Sequence, residues 1–286
     1  MDMNENAKLK AENYHHLVIL SANDDETGTN WSKVFGFEKP KRYELGPVYQ
    51  KFLGEKYPSV YRGRHWQSDF SQAVIRQHSM FFEIDGMGKE QDCFTEFYSA
   101  HGSGVCYLGF MAYEHKDEVL KYLNELGCGI IVDQKFPGGD WTVAETERLL
   151  GCNLCIKENP GGDHTENPHM DDFTGADLAV KDPLQTAENW MKLFSGFERI
   201  DRKDGSVLLS SRPFSIVLHG VREADIYEEF ASKHGTGVFG LCMKQLPEDC
   251  RERLLSDGAE AVKTETGEIL KTEDILCTNL RIGDIL

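Results

Sequence analysis

Short apolar runs of alternating character recur along the chain, separated by stretches with a helical period. "HHLVIL" (His15 to Leu20), "SMFFEID" (Ser79 to Asp85), "GVCYLGFMAY" (Gly104 to Tyr113), "GIIV" (Gly129 to Val132) and "NLCIK" (Asn153 to Lys157) read as strands. "NWSKVF" (Asn30 to Phe35) predicts a helix that ends near Gly36. "HKDEVLKYLNELG" places Val119, Leu120, Leu123 and Leu126 on one side of a helix and stops at Gly127; "LPEDCRERLLSDG", ending at Gly258, has the same design.

Residues two apart on a strand share a face. Leu17 and Ile19, Phe82 and Ile84, Leu108 and Phe110, and Leu154 and Ile156 therefore form sets that pack on helices. The opposite face presents His16, Glu83, Tyr107 and Cys155. Further along, Leu178, Ile216, Leu241 and Leu280 take the apolar side. Gly175, Val217, Gly240 and Arg281 take the other, which Asp177, His219 and Asn279 also join.

The chain repeats itself once. "EFYSAHGSGV" (Glu96 to Val105) returns as "EFASKHGTGV" (Glu229 to Val238), "NWSKVFGF" at Asn30 as "NWMKLFSGF" at Asn189, and "CNLCIKE" at Cys152 as "TNLRIGD" at Thr278. Landmarks in a conserved order indicate a duplicated domain, with a period too long for a solenoid. "ENPGGDHTENPHMDD" (Glu158 to Asp172) has the composition of a linker. We expect domains over 1–165 and 170–286.

A formal charge of −17 disfavours nucleic acid and anionic membrane surfaces as partners. No run has the length of a membrane span, and the first residues lack a secretory apolar core, so a cytoplasmic protein is expected. The eight cysteines lie mostly in apolar runs and read as buried thiols. Cys152 and Cys155, three apart on a strand, face opposite sides and make a poor metal pair.

Taken in order, a histidine opening the first strand, a helix closing on "FGF", the acidic strand "FFEID", "EF-x-x-HG-x-GV-x-x-LGF", a glycine-stopped helix and "FPGG" before a last strand resemble the vicinal oxygen chelate superfamily, closest to its methylmalonyl-CoA epimerase-like branch. The resemblance implies an α+β fold of two tandem domains, each of paired βαβββ units forming a cupped mixed sheet. It also implies a divalent metal held by one residue from each of four strands, polarising vicinal substrate oxygens. The matching positions are His16, Glu83, Tyr107 and Cys155, of which His16 and Glu83 alone have the usual ligand chemistry. The second copy offers no ligand set. The cofactor expectation is therefore none, or a divalent metal weakly held by His16 and Glu83.

With the metal site degraded, general acid/base catalysis remains open to these side chains: Glu83 as base, with His16 or Tyr107 donating to a developing enolate oxygen. The expected activity is isomerisation, epimerisation or racemisation at carbon beside a carbonyl. A metal-dependent lyase or dioxygenase-like enzyme and a non-catalytic drug-sequestering protein are the alternatives. Phe81, Trp66, His65 and Cys155, with Trp141, are expected to line the cavity and to favour a small, aromatic or polyketide-like substrate; Arg281 could hold a carboxylate. His101 and His234, repeated in the duplicated phrase, are expected to serve a structural turn. Exposed sheet edges make a homo-oligomer the expected assembly.

Overall fold

The computed structural model of the 286-residue chain describes residue 3 and residues 5–46, 59–67, 69–77, 80–136, 139–158, 173–222, 225–264 and 267–283. Four βαβββ units follow one another in it. The first comprises β1 (Tyr14–Ser21), α1 (Asp24–Phe35), β2 (Arg42–Glu44), β3 (Ser71–Gln77) and β4 (Met80–Gly86). After α2 (Cys93–His101) comes the second: β5 (Gly104–Met111), α3 (Lys116–Glu125), β6 (Ile130–Phe136), β7 (Gly139–Ala144) and β8 (Asn153–Glu158). The third has β9 (Phe173–Val180), α4 (Pro183–Leu193), β10 (Glu198–Asp201), β11 (Val207–Ser210) and β12 (Ser215–Gly220). After α5 (Ile226–His234), the fourth has β13 (Gly237–Met243), α6 (Glu248–Ser256), β14 (Glu260–Thr264), β15 (Gly267–Lys271) and β16 (Asn279–Ile282).

Pairing within the units repeats as well. The first two make a mixed sheet in the order β2-β3-β4-β1-β5-β8-β7-β6, with β4 and β1 parallel, β5 and β8 parallel, and β1 and β5 antiparallel at the centre; a hairpin of strands Ser59–Tyr61 and Arg64–Trp66, inserted within the first unit, extends it beyond β6. The last two give β10-β11-β12-β9-β13-β16-β15-β14 with the same senses. A bridge between Val105 on β5 and Val238 on β13 joins the sheets. The fold is α+β, built of paired βαβββ units as expected. The boundary placed between 165 and 170 lies outside the described residues.

The duplicated "NW" dipeptide ties the two halves together. Trp31 on α1 donates from Nε1 to Leu276 O at 3.1 Å, and Trp190 on α4 donates to Leu150 O at 2.9 Å. Asn30 and Asn189 donate to the adjacent carbonyls of Ile275 and Leu149. Both indoles are fully buried, so these bonds satisfy donors that burial would otherwise strand. Each half's first helix thus docks on the other half, and the apolar faces merge into one core running from Leu17 to Leu280.

Two details differ from the sequence reading. α1 starts at Asp24, six residues before the apolar pattern suggests, because Asn23 caps it and three acidic residues occupy its first turn. The repeated "HG" is a helix end, not a free turn: His101 and His234 close α2 and α5, and Gly102 and Gly235 follow at φ 76°. Among the described residues, no helix is long and apolar enough to cross a membrane.

Candidate functional site

Register places the four matched positions on one face of the first sheet. His16 on β1 lies opposite Gly109 on β5, which lies opposite Cys155 on β8. One row along, Val18 is flanked by Glu83 on β4 and Tyr107 on β5. His16 Nε2 stands 3.6 Å from Glu83 Oε2, and the His16 and Tyr107 ring centroids are 6.2 Å apart, edge to face. His16 and Glu83 are therefore neighbours.

His16 is wholly buried because Gly109 leaves room for it: a Cβ there would lie 2.3 Å from the imidazole Cε1. Its Nδ1 is 2.9 Å from Nδ1 of His15, a contact in which one ring carries the proton and the other accepts it. Glu83 has polar company. Gln72 Nε2 donates to its Oε2 at 3.1 Å, and Lys157 Nζ lies 4.0 Å from Oε1.

Beyond this polar corner the same face is apolar. Trp66, Phe70, Phe94, Tyr107 and Trp141 cluster with Val18, Leu20, Cys106, Val132, Val143 and Cys155. Phe70 and Phe94 approach to 4.7 Å between centroids. Cys106 joins Tyr107 on this side because the β1–β5 register slips between Val18 and Ile19, a bulge that breaks strict alternation. Burial raises the Tyr107 phenol well above its ordinary value and pushes the Cys155 thiol up to about 12, so both keep their protons at neutral pH.

One expectation needs correction. His65 is exposed while its neighbour Trp66 is buried, since adjacent residues on a strand face opposite ways; it does not join the cluster. Phe82 packs on the helix side, as alternation predicts, 4.5 Å from Trp31. Phe81 stands on β4, but its side chain lies outside what is described.

A further acidic residue lies two positions beyond Glu83. Asp85 shares its face, is completely buried, and neither carboxyl oxygen has a hydrogen-bond partner among the described residues. Burial and then the Glu83 carboxylate drive its pKa well above the usual carboxylate range, with the Gln72 amide and Lys157 pulling weakly the other way. Alternation within "FFEID" was the available signal, as it was for Lys157 two residues after Cys155.

This donor set does not fit a family-type metal. Among the described residues no three His, Cys, Asp or Glu side chains are grouped to hold a cation. Of the four positions only His16 and Glu83 carry the usual ligand chemistry, and an ammonium stands beside Glu83. The chemistry this face supports through its own groups is proton transfer.

In the second sheet, the position of Cys155 is taken by Arg281, that of Val18 by Asp177, that of Asp85 by His219 and that of Phe94 by Tyr227. Arg281 is buried on β16 of the second sheet. Its Nη1 lies 2.8 Å from Asp177 Oδ2, 2.8 Å from the Tyr227 hydroxyl and 3.1 Å from His219 Nε2. Tyr227 donates to Asp177 Oδ2 at 2.9 Å. Burial opposes the Arg281 charge, but the Asp177 carboxylate outweighs it and raises the guanidinium pKa further.

No family model matches the sequence, and no curated protein matches it. Among solved structures, the chain is similar to a mutant of 4-hydroxymandelate synthase from Streptomyces coelicolor, with a TM-score of 0.48 and 11% identity over 92% of this chain and 87% of the other. It is also similar to a xylose isomerase-like TIM barrel/4-hydroxyphenylpyruvate dioxygenase fusion protein, with a TM-score of 0.48 and 13% identity over 96% of this chain and 49% of the fusion. Likeness at this level transfers neither protein's chemistry to this chain.

Proposed function

We propose that the first sheet's inner face is an acid/base active site that moves a proton at carbon beside a carbonyl, making the protein an isomerase or epimerase of a small, largely apolar substrate. The observation that carries this reading is the contrast between Glu83 and Asp85. One carboxyl group has an amide, an imidazole and an ammonium around it; the other, two residues away on the same face, is buried, has no well-formed hydrogen bond among the described residues, and has its pKa raised by burial and by the Glu83 carboxylate. Carboxyl groups in such unlike surroundings divide into a base and an acid.

In this reading Glu83 takes the proton from the carbon, the C–H electron pair forms the enolate double bond, and the carbonyl oxygen gains the charge. Tyr107 and Asp85, both protonated, donate hydrogen bonds to that oxygen. His16, 3.6 Å from Glu83, orients the base and exchanges its proton. Return of a proton to the opposite side of the same carbon re-forms the carbonyl and completes the epimerisation. The aromatic cluster of Trp66, Phe70, Phe94 and Trp141 excludes water and favours a substrate with an aromatic or similar apolar body.

Solvent deuterium incorporation into a panel of carbonyl compounds tests the proposal. Glu83→Gln is expected to lower exchange by about 10²- to 10⁴-fold, and Tyr107→Phe by about 10²-fold. Exchange at full rate in Glu83→Gln removes the base. Stoichiometric ligand binding without any exchange identifies a sequestering protein instead. Stoichiometric divalent metal found by elemental analysis, with activity lost on chelation, would replace this mechanism by a metal-dependent one.

A further inference from the structure

Lys157 stands on β8 with its side chain over the inner face of the first sheet, in register with Trp141 on β7 and Met111 on β5. It reaches across β5 and β1 to Glu83 on β4, where Nζ lies 4.0 Å from Oε1. Burial raises the pKa of Asp85 and of Cys155, and the Lys157 charge opposes it at both. The ammonium is therefore held over the middle of the proposed site.

Its donors are unspent. Only 21% of the side chain is exposed, yet among the described residues the ammonium makes no hydrogen bond, and the separation from Glu83 exceeds the roughly 2.7–3.2 Å of an N–H···O bond. Glu83 does not depend on it, since Gln72 already donates to Oε2 at 3.1 Å. A cation largely withdrawn from water, with three N–H groups and no acceptor, is destabilised, and an anion entering the site would complete it. Arg281, the residue from which the sequence leads one to expect carboxylate binding, is instead engaged by Asp177 and Tyr227 in the second sheet.

A single ammonium matches the single charge of a carboxylate. A phosphate dianion is normally gathered by several donors, such as an arginine fork or a helix N-terminus. Because the ammonium and the proposed base are 4.0 Å apart, a carboxylate bound to Lys157 brings a carbon a few bonds away to Glu83. Trp141, paired with Lys157 across the strands, belongs to the aromatic cluster that would take the rest of the molecule.

We infer that Lys157 anchors a substrate carboxylate, so that the first site takes a monocarboxylic acid with an apolar body and an acidic carbon close to the carboxylate. This rests on the acid/base reading of that face and names the substrate class it serves. Lys157 sets specificity and Glu83 remains the base.

Isothermal titration of the full-length protein with phenylacetate and 3-phenylpropanoate, each against its neutral amide, tests the inference without turnover. At least one acid is expected to bind tighter than its amide by about tenfold or more, the scale of one charge-assisted hydrogen bond. Lys157→Gln should abolish that preference and Lys157→Arg should keep part of it, with circular dichroism and melting unchanged. In the deuterium-exchange assay, Lys157→Gln should raise KM for acids by about tenfold or more with a smaller change in kcat. Equal binding of acid and amide by the native protein, a preference that survives Lys157→Gln, or no saturable binding of either acid at millimolar concentration overturns the inference. Loss of the preference in Lys157→Gln alongside full-rate exchange in Glu83→Gln would instead keep the anchor and remove the base.

Discussion

His101 and His234 exchange hydrogen bonds across the junction of the two halves: Nδ1 of each ring reaches the other's backbone carbonyl, at 2.6 and 2.5 Å. Each residue ends the helix before a central strand, so the two helix termini lock head to head beside the Val105–Val238 bridge. Nε2 of His101 then faces Glu147 at 3.2 Å, and Nε2 of His234 faces Glu273 at 2.7 Å. An imidazole with a carbonyl on one nitrogen and a carboxylate on the other makes both bonds as a donor only when protonated.

The His101 arrangement carries a pH signature. Its hydrogen bond to Glu147 raises its pKa, against burial and with help from the His234 carbonyl. The folded state therefore binds this proton more tightly than the unfolded state, whose histidine titrates near about 6.5. Its stabilisation is complete below that value and is lost as pH rises through the folded pKa. His101→Gln should cost about 1–3 kcal/mol at the acidic end and progressively less as pH increases. Urea denaturation of both proteins across that range checks it; a pH-independent difference refutes it.

Gly109→Ala should disable the first site without touching a polar group. The added methyl would meet the buried His16 ring at 2.3–2.4 Å, so the imidazole must move and its approach to Glu83 is lost. Displacement on the scale of an ångström can cost about 10²-fold in rate. We expect a fall of that order in deuterium exchange together with a shift of the His16 ring resonances. Unchanged resonances would show that the ring is not confined as described.

Asp85→Asn should become more stabilising, relative to the native chain, as pH rises. The carboxyl is buried, with a folded pKa raised well above its unfolded value near about 3.9. Its favourable contribution is full below that value and disappears as pH climbs through the folded pKa, where the native chain must bury a charge or lose a proton it holds. Asparagine does not ionise. Parallel stability profiles from acid to alkaline pH for the two proteins would contradict the assignment.

Asp177→Ala should be far more damaging than a typical truncation. It leaves the buried Arg281 guanidinium without its carboxylate, for which about 3–5 kcal/mol is the expected loss. Asp177→Ala combined with Arg281→Met should recover part of it, and a double-mutant cycle by chemical denaturation measures the coupling. Additive losses would mean that the two side chains do not interact.

Much of this was legible in the order of residues. Alternation in "HHLVIL" and "FFEID" assigns His16 and Glu83 to one face and Leu17 and Phe82 to the other, because strand geometry has a period of two and burial selects one side. The repeated "NW" and "HG" marked a duplication, and the four matched positions do fall on a common face in the register. The same alternation, two residues further along each strand, points to Asp85 and Lys157.

What the chain alone could not decide depends on groups brought together from distant positions. The bulge that turns Cys106 and Tyr107 to one side arises from pairing with β1, and the Asp85 pKa is raised because surrounding strands and helices remove water from it. Arg281 is buried with Asp177, 104 residues earlier, and His101 finds its carbonyl 133 residues later. Local periodicity is set by backbone geometry within a few residues, so sequence determined the strands and their faces. Desolvation, ion pairing and hydrogen bonding between elements depend on what lies opposite in space, and tertiary structure alone decided which polar side chains were desolvated, latched together or joined in a buried ion pair.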